Sequence, residues 1–194
     1  MKFKLLFSYR FLLFILSVLG VYLQLTKHGG FGMMLYYTIL SNMLVMFFMG
    51  DMVWRMLRGR STQTKGYLRM KGAVTMAIMI TFVIYHFMLA PLATPEKFYR
   101  LENFLCHYIV PLMFFFDTLV IDKAKQYRKL DPFLWTLIPL AYMLFALLNG
   151  LVLKWPIPGA KDSPFAYFFI NVNKYGWAFV GKWVVIIFIA YLLA

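Results

Sequence analysis

The sequence predicts an all-α membrane protein, a single domain over residues 1–194 with six transmembrane helices and both termini inside. Of the 194 residues, 63% are hydrophobic and only 14% are charged, and the mean hydropathy is +0.74. A soluble domain of this size cannot bury so much apolar surface, which excludes a cytosolic enzyme. Crossing a hydrocarbon core about 30 Å thick takes about 20 apolar residues per helix, so six spans use most of the chain.

Six apolar runs are long enough to form these helices. They cover residues 5–25, 31–54, 73–93, 104–121, 133–153 and 175–193. The first run is longer than the apolar part of a usual signal peptide, and no small-residue cleavage site follows it, so we expect it to remain as a span. The longest outer connection, residues 154–174, is rich in aromatic residues and prolines. It is therefore expected to lie in the headgroup layer, placed to cap a site that opens toward the outer leaflet.

The distribution of positive charge predicts the orientation, because cytoplasmic loops carry an excess of lysine and arginine. Twelve such residues lie at the N-terminus and in the loops after spans two and four: Lys2, Lys4, Arg55, Arg58, Arg60, Lys65, Arg69, Lys71, Lys123, Lys125, Arg128 and Lys129. The opposite side carries six: Lys27, Lys97, Arg100, Lys154, Lys161 and Lys174. These basic residues indicate membrane anchoring, and no nucleic-acid partner is expected. Within the runs, Arg10 can snorkel from a helix end, whereas Lys182 either snorkels or faces the bundle interior.

Polar residues inside spans are the informative ones, because hydrocarbon offers them no hydrogen bonds. With this topology, Thr38 lies roughly 10 Å below the outer boundary. His86 and His107 fall in the same outer half of the bilayer. Ser41 and Asn42 follow Thr38 by three and four residues and so share its helical face.

Thr38 and His107 are chemically suited to act as a nucleophile and its general base in ester cleavage. Asn42, Ser41 or a backbone N–H would stabilise the oxyanion, and His86 is a further candidate for positioning the substrate. From the residue types alone, a structural interpretation comes first, since membrane threonines often bond their own helix and buried histidines often bridge helices. No metal site or cofactor is expected, because no intramembrane carboxylate shares the depth of the histidines, and the single Cys106 excludes an intrachain disulfide.

Two other functions stay open at this point. A small-molecule or proton-coupled transporter would use Asp117, His86 and Lys182 as an intramembrane polar path, although the sequence has no inverted repeat. Asp117 lies ten residues after His107 and about 80° round the helix, which leaves it a relay or a structural role. A non-catalytic membrane protein would use Thr38 and His107 only to hold helices together.

Four stretches of the chain resemble one bacterial family. They are Tyr37-Thr38-Ile39-Leu40-Ser41-Asn42, Arg69-Met70-Lys71-Gly72-Ala73-Val74-Thr75, His107-Tyr108-Ile109-Val110-Pro111 with Asp117, and Asn171-Val172-Asn173-Lys174-Tyr175-Gly176. In these the chain resembles the six-span family called Pr-six-Pr over nearly its whole length. With a threonine on span two and a histidine on span four, it is also similar to the more distant androgen-induced protein family of eukaryotic membrane hydrolases.

The resemblance implies that Thr38 is the nucleophile and His107 the base of a hydrolase acting on long-chain acyl esters, such as fatty acid esters of hydroxy fatty acids. It also implies a bacterial plasma membrane location. For such a hydrolase, we expect the apolar side chains of spans two to five to hold the acyl chain. One departure concerns the segment before span six, where Trp155-Pro156-Ile157-Pro158 is separated from Pro164-Phe165. The part of the site that faces the substrate is therefore expected to differ. The sequence predicts no oligomeric state.

Overall fold

The computed structural model of the protein describes residues 3–123, 126–160 and 163–193. The prediction of an all-α fold with six membrane-spanning helices is confirmed, and no strand occurs in these ranges. The six helices, α1 to α6, are Phe3–His28, Tyr37–Leu57, Lys65–Leu92, Leu101–Ile121, Asp131–Leu153 and Val172–Leu192. Three residues of the charge count, Lys2, Lys125 and Lys161, lie outside the described residues.

Four helices begin within three residues of the predicted starts, whereas α2 begins six residues later and α3 eight residues earlier than predicted. Helix α2 begins at Tyr37, because Gly29 and Gly30 turn the chain with φ angles of 154° and 58° and a short 3-10 helix follows. Only glycine adopts such angles without strain. Helix α3 begins at Lys65, eight residues before the apolar run, so that Lys71 belongs to a helix and not to a loop.

The helices pack as a tight group of four with a looser pair beside it. Helices α1 to α4 surround one apolar cluster: Leu13, Val45, Phe48, Met49, Met52, Tyr67, Val74, Ile78, Val110 and Phe114. A second cluster joins the start of α2 to α5, α6 and the connection between them. In the most apolar window of α6 only 11% of residues are buried, against 56% in α2. Helix α6 therefore lies at the periphery, where most of its surface meets lipid.

In the part of the chain that the structure describes, four helical segments widen into π turns, and each contains a buried residue with a polar group. The turns Tyr85–Leu89, Leu105–Ile109, Asp117–Ile121 and Asn149–Leu153 contain Tyr85, His107, Asp117 and Asn149. Single π turns occur often at functional sites, because they disturb the regular hydrogen bonding of the helix. Here they mark where the bundle accommodates polar groups.

Arg10 does not snorkel to the membrane surface, because it is fully buried in an ion cluster. Its Nε lies 3.0 Å from Asp117 Oδ1 and its Nη2 3.1 Å from Asp122 Oδ1. Lys71, also fully buried, contacts Asp117 Oδ2 and lies 2.5 Å from Asp122 Oδ2. Two positive and two negative charges thus cancel between α1, α3 and the end of α4. The expectation that Arg10 snorkels is therefore wrong. Lys71, which was counted among the basic residues of the loop after span two, lies inside the bundle instead.

Candidate functional site

Thr38 and His107 lie in contact, although they are 69 residues apart in the chain. Thr38 Oγ1 is 3.3 Å from His107 Nε2, and the two residues are 8% and 7% exposed. Thr38 lies in the first turn of α2 and His107 in a π turn of α4. A hydroxyl at this distance from an imidazole nitrogen has the geometry of a nucleophile and its base before substrate binds.

The surroundings of His107 determine which ring nitrogen carries the proton. Nδ1 lies 3.0 Å from the backbone carbonyl oxygen of Asn103, which only accepts hydrogen bonds. Nδ1 is therefore the donor, which leaves the lone pair of Nε2 facing the Thr38 hydroxyl. The ring of Tyr85 stacks on the imidazole with centroids 3.8 Å apart. His107 is thus held in the orientation and tautomer that accept a proton from Thr38.

Asn42 connects α2 to α4 through a carbonyl that a proline leaves free. Pro111 has no N–H, and the N–H of Val110 donates to Leu105 across the π turn. The carbonyl of Cys106 accepts instead from Asn42 Nδ2, at 3.0 Å, and the same amide donates to the Thr38 carbonyl at 2.8 Å. Both donors of Asn42 are used, so the residue fixes the position of Thr38 relative to α4 in this geometry.

Ser41 also bonds to the backbone of Thr38. Its Oγ donates to the Thr38 carbonyl at 3.1 Å and lies 2.7 Å from Thr81 Oγ1 on α3. The structure therefore brings Ser41, Asn42 and Thr38 together as the helical spacing predicts. The hydroxyl of Ser41 binds a carbonyl, so in this geometry it holds the first turn of α2 in place.

Tyr167 is a site residue that the sequence analysis missed. Its hydroxyl accepts a hydrogen bond from the Thr38 N–H at 3.3 Å and lies 3.4 Å from Thr38 Oγ1. Burial raises the pKa of Tyr167 above its usual value, so the hydroxyl is protonated at neutral pH and can donate. Tyr167 belongs to the loop between α5 and α6. The aromatic residues and prolines of this loop predicted that it caps the site, but they did not indicate which of its residues contacts Thr38.

Two close contacts bring this loop into the bundle. Phe165 packs so closely on Gly150 that an added Cβ there would lie 2.1 Å from its ring. Nearer the start of the loop, the Tyr36 hydroxyl donates to the carbonyl of Pro158 at 2.5 Å. The loop is thereby fixed to α5 and to the start of α2, which places Tyr167 over Thr38.

The remaining predicted polar residues are not brought to this site. His86 is exposed, and its Nδ1 lies 3.3 Å from the Tyr108 hydroxyl, away from Thr38. Lys182 is exposed on α6, so it does not face the bundle interior. Asp117 is enclosed in the ion cluster with Arg10 and Lys71. These groups line no common path. Within the described ranges, no group of three His, Cys, Asp or Glu side chains could hold a metal ion.

Thr38 lies at the edge of an apolar pocket, called here the site pocket. It contains about 810 Å³ of space not occupied by protein atoms, including the part open to the surroundings. Residues of α2, α3, α5, α6 and the loop before α6 line it. The expected acyl-chain site used spans two to five, whereas this pocket is lined by α6 and not by α4. The lining residues are Tyr37, Thr38, Ile80, Thr81, Ile84, Tyr85, Leu89, Thr136, Pro139, Leu140, Tyr142, Met143, Tyr167, Phe169, Ile170, Val184, Ile187, Phe188 and Tyr191.

Comparison of the chain with protein-family models, curated proteins and solved structures finds no match. The assignment of a function therefore depends on the residues and geometry of this site.

Proposed function

We propose that the protein is an intramembrane hydrolase of lipid esters, with Thr38 as the nucleophile and His107 as the general base. The observation that carries the proposal is the 3.3 Å contact between these two side chains, of which Thr38 lines an apolar pocket. Hydrolysis of an ester needs an activated hydroxyl and a proton acceptor, and an apolar pocket next to them suits a long acyl chain. No comparable arrangement supports the transporter interpretation.

In the first half of the reaction, Thr38 Oγ1 attacks the carbonyl carbon of the ester while His107 Nε2 takes the hydroxyl proton. The tetrahedral intermediate collapses by breaking the bond to the alcohol oxygen, which receives the proton from His107. The free alcohol leaves, and the acyl group remains as an ester on Thr38. In the second half, His107 takes a proton from water, the hydroxide attacks the acyl carbon, and the free acid leaves as Thr38 regains its proton.

The negative oxygen of both tetrahedral intermediates needs hydrogen-bond donors fixed beforehand. The hydroxyl of Tyr167 is the donor that the geometry offers: its oxygen accepts from the Thr38 N–H, which leaves its own proton free to donate beside Oγ1. Thr38 also lies in the first turn of α2, where the positive end of the helix dipole favours a developing negative charge. Asn42 and Ser41 act through the backbone of Thr38, which they hold in place.

The apolar lining supports a substrate with a long hydrocarbon chain and no charged headgroup. The resemblance of the chain to the hydrolases of fatty acid esters of hydroxy fatty acids points to the same class. The lipid ester is the only partner proposed, and the reaction as written needs no cofactor.

We place the protein in the bacterial plasma membrane with its termini inside and the site toward the outer half. A cysteine-accessibility experiment tests this orientation, because the native Cys106 is fully buried and gives little background. In spheroplasts, an impermeant maleimide is expected to label Lys97→Cys directly and Lys129→Cys only after permeabilisation, since both positions are exposed and lie in loops of opposite sides. The reverse labelling order would overturn the orientation.

Labelling with a lipophilic fluorophosphonate tests the proposed function. We expect purified protein in detergent to form an adduct that mass spectrometry locates on Thr38, because only an activated hydroxyl attacks the probe. The adduct is expected to disappear in His107→Ala and to persist in His86→Ala, in which an exposed histidine outside the site is removed. Labelling of Thr38 that is undiminished in His107→Ala would contradict the assignment of the base.

A further inference from the structure

The site pocket lies beside a second apolar cavity between α3 and α6, called here the α3–α6 groove. It contains about 740 Å³ of unoccupied space and shares Ile80, Ile84, Ile187 and Tyr191 with the site pocket. Its further lining includes Met76, Met79, Phe87, Trp183 and Ala190. Because four side chains line both cavities, the two cavities adjoin, and only these side chains separate the groove from the pocket that Thr38 lines.

The groove faces the lipid side of the bundle. Phe87 is 70% exposed, and Ala190 is exposed on the opposite wall. Helix α6, which forms that wall, is the least buried of the six helices. The lining has no charged side chain, so it offers nothing to bind a phosphate or an ammonium headgroup. The unbranched side chains of Met76 and Met79 can adapt to an occupant of variable shape.

We propose that the α3–α6 groove is the subsite for the distal part of the substrate's acyl chain. This inference rests on the proposed hydrolase function. With the ester carbonyl at Thr38, the first methylenes occupy the site pocket. The chain then passes between Ile84 and Ile187 and emerges into the groove, where it meets the hydrocarbon of the bilayer. The substrate accordingly reaches the site laterally from the membrane, and long chains gain contacts that short chains do not reach.

A matched pair of variants on α6 tests the subsite. Ala190→Trp fills the groove, whereas Ala178→Trp makes the same change at an exposed position of the same helix that lines neither cavity. We measure kcat/KM for p-nitrophenyl esters with acyl chains from butyryl to palmitoyl. For Ala190→Trp we expect at least about a tenfold loss with the palmitoyl ester and unchanged cleavage of the butyryl ester, because a lost apolar contact of a methylene or more changes discrimination by this order. Ala178→Trp is expected to keep the wild-type profile.

A second measurement separates the subsite from the hydrolase proposal. Wild-type protein and both variants are irradiated with a long-chain fatty acid that carries a diazirine near its methyl end, and the adducts are located by mass spectrometry. Adducts on Met76, Met79 or Trp183 that disappear only in Ala190→Trp are expected, even if the protein cleaves no ester and the proposed function fails. Adducts confined to other helices, or a length profile of Ala190→Trp that matches Ala178→Trp, would overturn the subsite.

Discussion

Replacing Thr38 with alanine is expected to lower kcat/KM for a long-chain ester by at least about 10³-fold, because the variant has no oxygen to form the acyl intermediate. His107→Ala is expected to cost a similar factor, since the neutral threonine hydroxyl is a weak nucleophile without a base. The two losses should not add: Thr38 and His107 act as a unit through the contact between Oγ1 and Nε2, so the double variant is expected to be no slower than the worse single variant.

Two further variants show that the loss comes from the reacting atoms. Thr38→Ser keeps the hydroxyl and is expected to retain cleavage and fluorophosphonate labelling. Thr118→Ala is the matched control, because Thr118 is 8% exposed like Thr38 but bonds to Thr75 and to the Phe114 carbonyl, outside the site. It is expected to cleave esters at the wild-type rate. Cleavage that survives in Thr38→Ala, or that falls equally in Thr118→Ala, would contradict the role of Thr38 as nucleophile.

Tyr167→Phe is expected to lower activity less than Thr38→Ala but more than Thr118→Ala. It removes the hydroxyl that lies 3.4 Å from Thr38 Oγ1 but leaves the ring that lines the pocket. We expect kcat to fall by about 10²-fold with KM nearly unchanged, because a lost oxyanion donor destabilises the transition state more than the bound ester. A rise in KM without a fall in kcat would instead indicate a role in binding.

The sequence was sufficient for the spans and for part of the site. Hydropathy located all six helices, because each helix that crosses the hydrocarbon core of a membrane needs about 20 apolar residues. The helical period also placed Ser41 and Asn42 on the face of Thr38, as observed. The common depth of Thr38 and His107 was readable as well, since topology assigns a depth to each residue of a span.

The missing parts of the site depend on packing between elements, which hydropathy does not encode. His86 shares the predicted depth but faces Tyr108, because the face of α3 that meets α2 carries Thr81 and not His86. Tyr167 lies in a loop, and the packing of Phe165 on Gly150 together with the hydrogen bond from Tyr36 to Pro158 brings it next to Thr38. Similarly, Arg10 near a helix end was expected at the surface because its partners, Asp117 and Asp122, are more than a hundred residues away in the chain.

Replacing Asp117 with asparagine is expected to destabilise the protein by about 3–5 kcal/mol, because it leaves two buried cations, Arg10 and Lys71, to share the single carboxylate of Asp122. The loss of stability is measured by thermal unfolding in detergent, with intrinsic fluorescence or aggregation as the signal. Asp51→Asn is the matched control, since Asp51 forms a solvent-accessible ion pair with Arg55, one turn farther along the same helix. An exposed pair of this kind contributes little, so its removal is expected to change stability by less than about 1 kcal/mol.

A compensating substitution distinguishes a structural ion cluster from a path for protons or ions. Asp117→Asn combined with Lys71→Met removes one charge of each sign, which leaves Arg10 paired with Asp122 and the cluster neutral again. We expect this double variant to recover most of the lost stability and to hydrolyse esters like wild type, because the cluster lies outside the contacts of Thr38. If it regains stability but loses ester cleavage, the Asp117–Lys71 pair takes part in the reaction. If it stays as unstable as Asp117→Asn, charge balance is not what holds α1, α3 and α4 together.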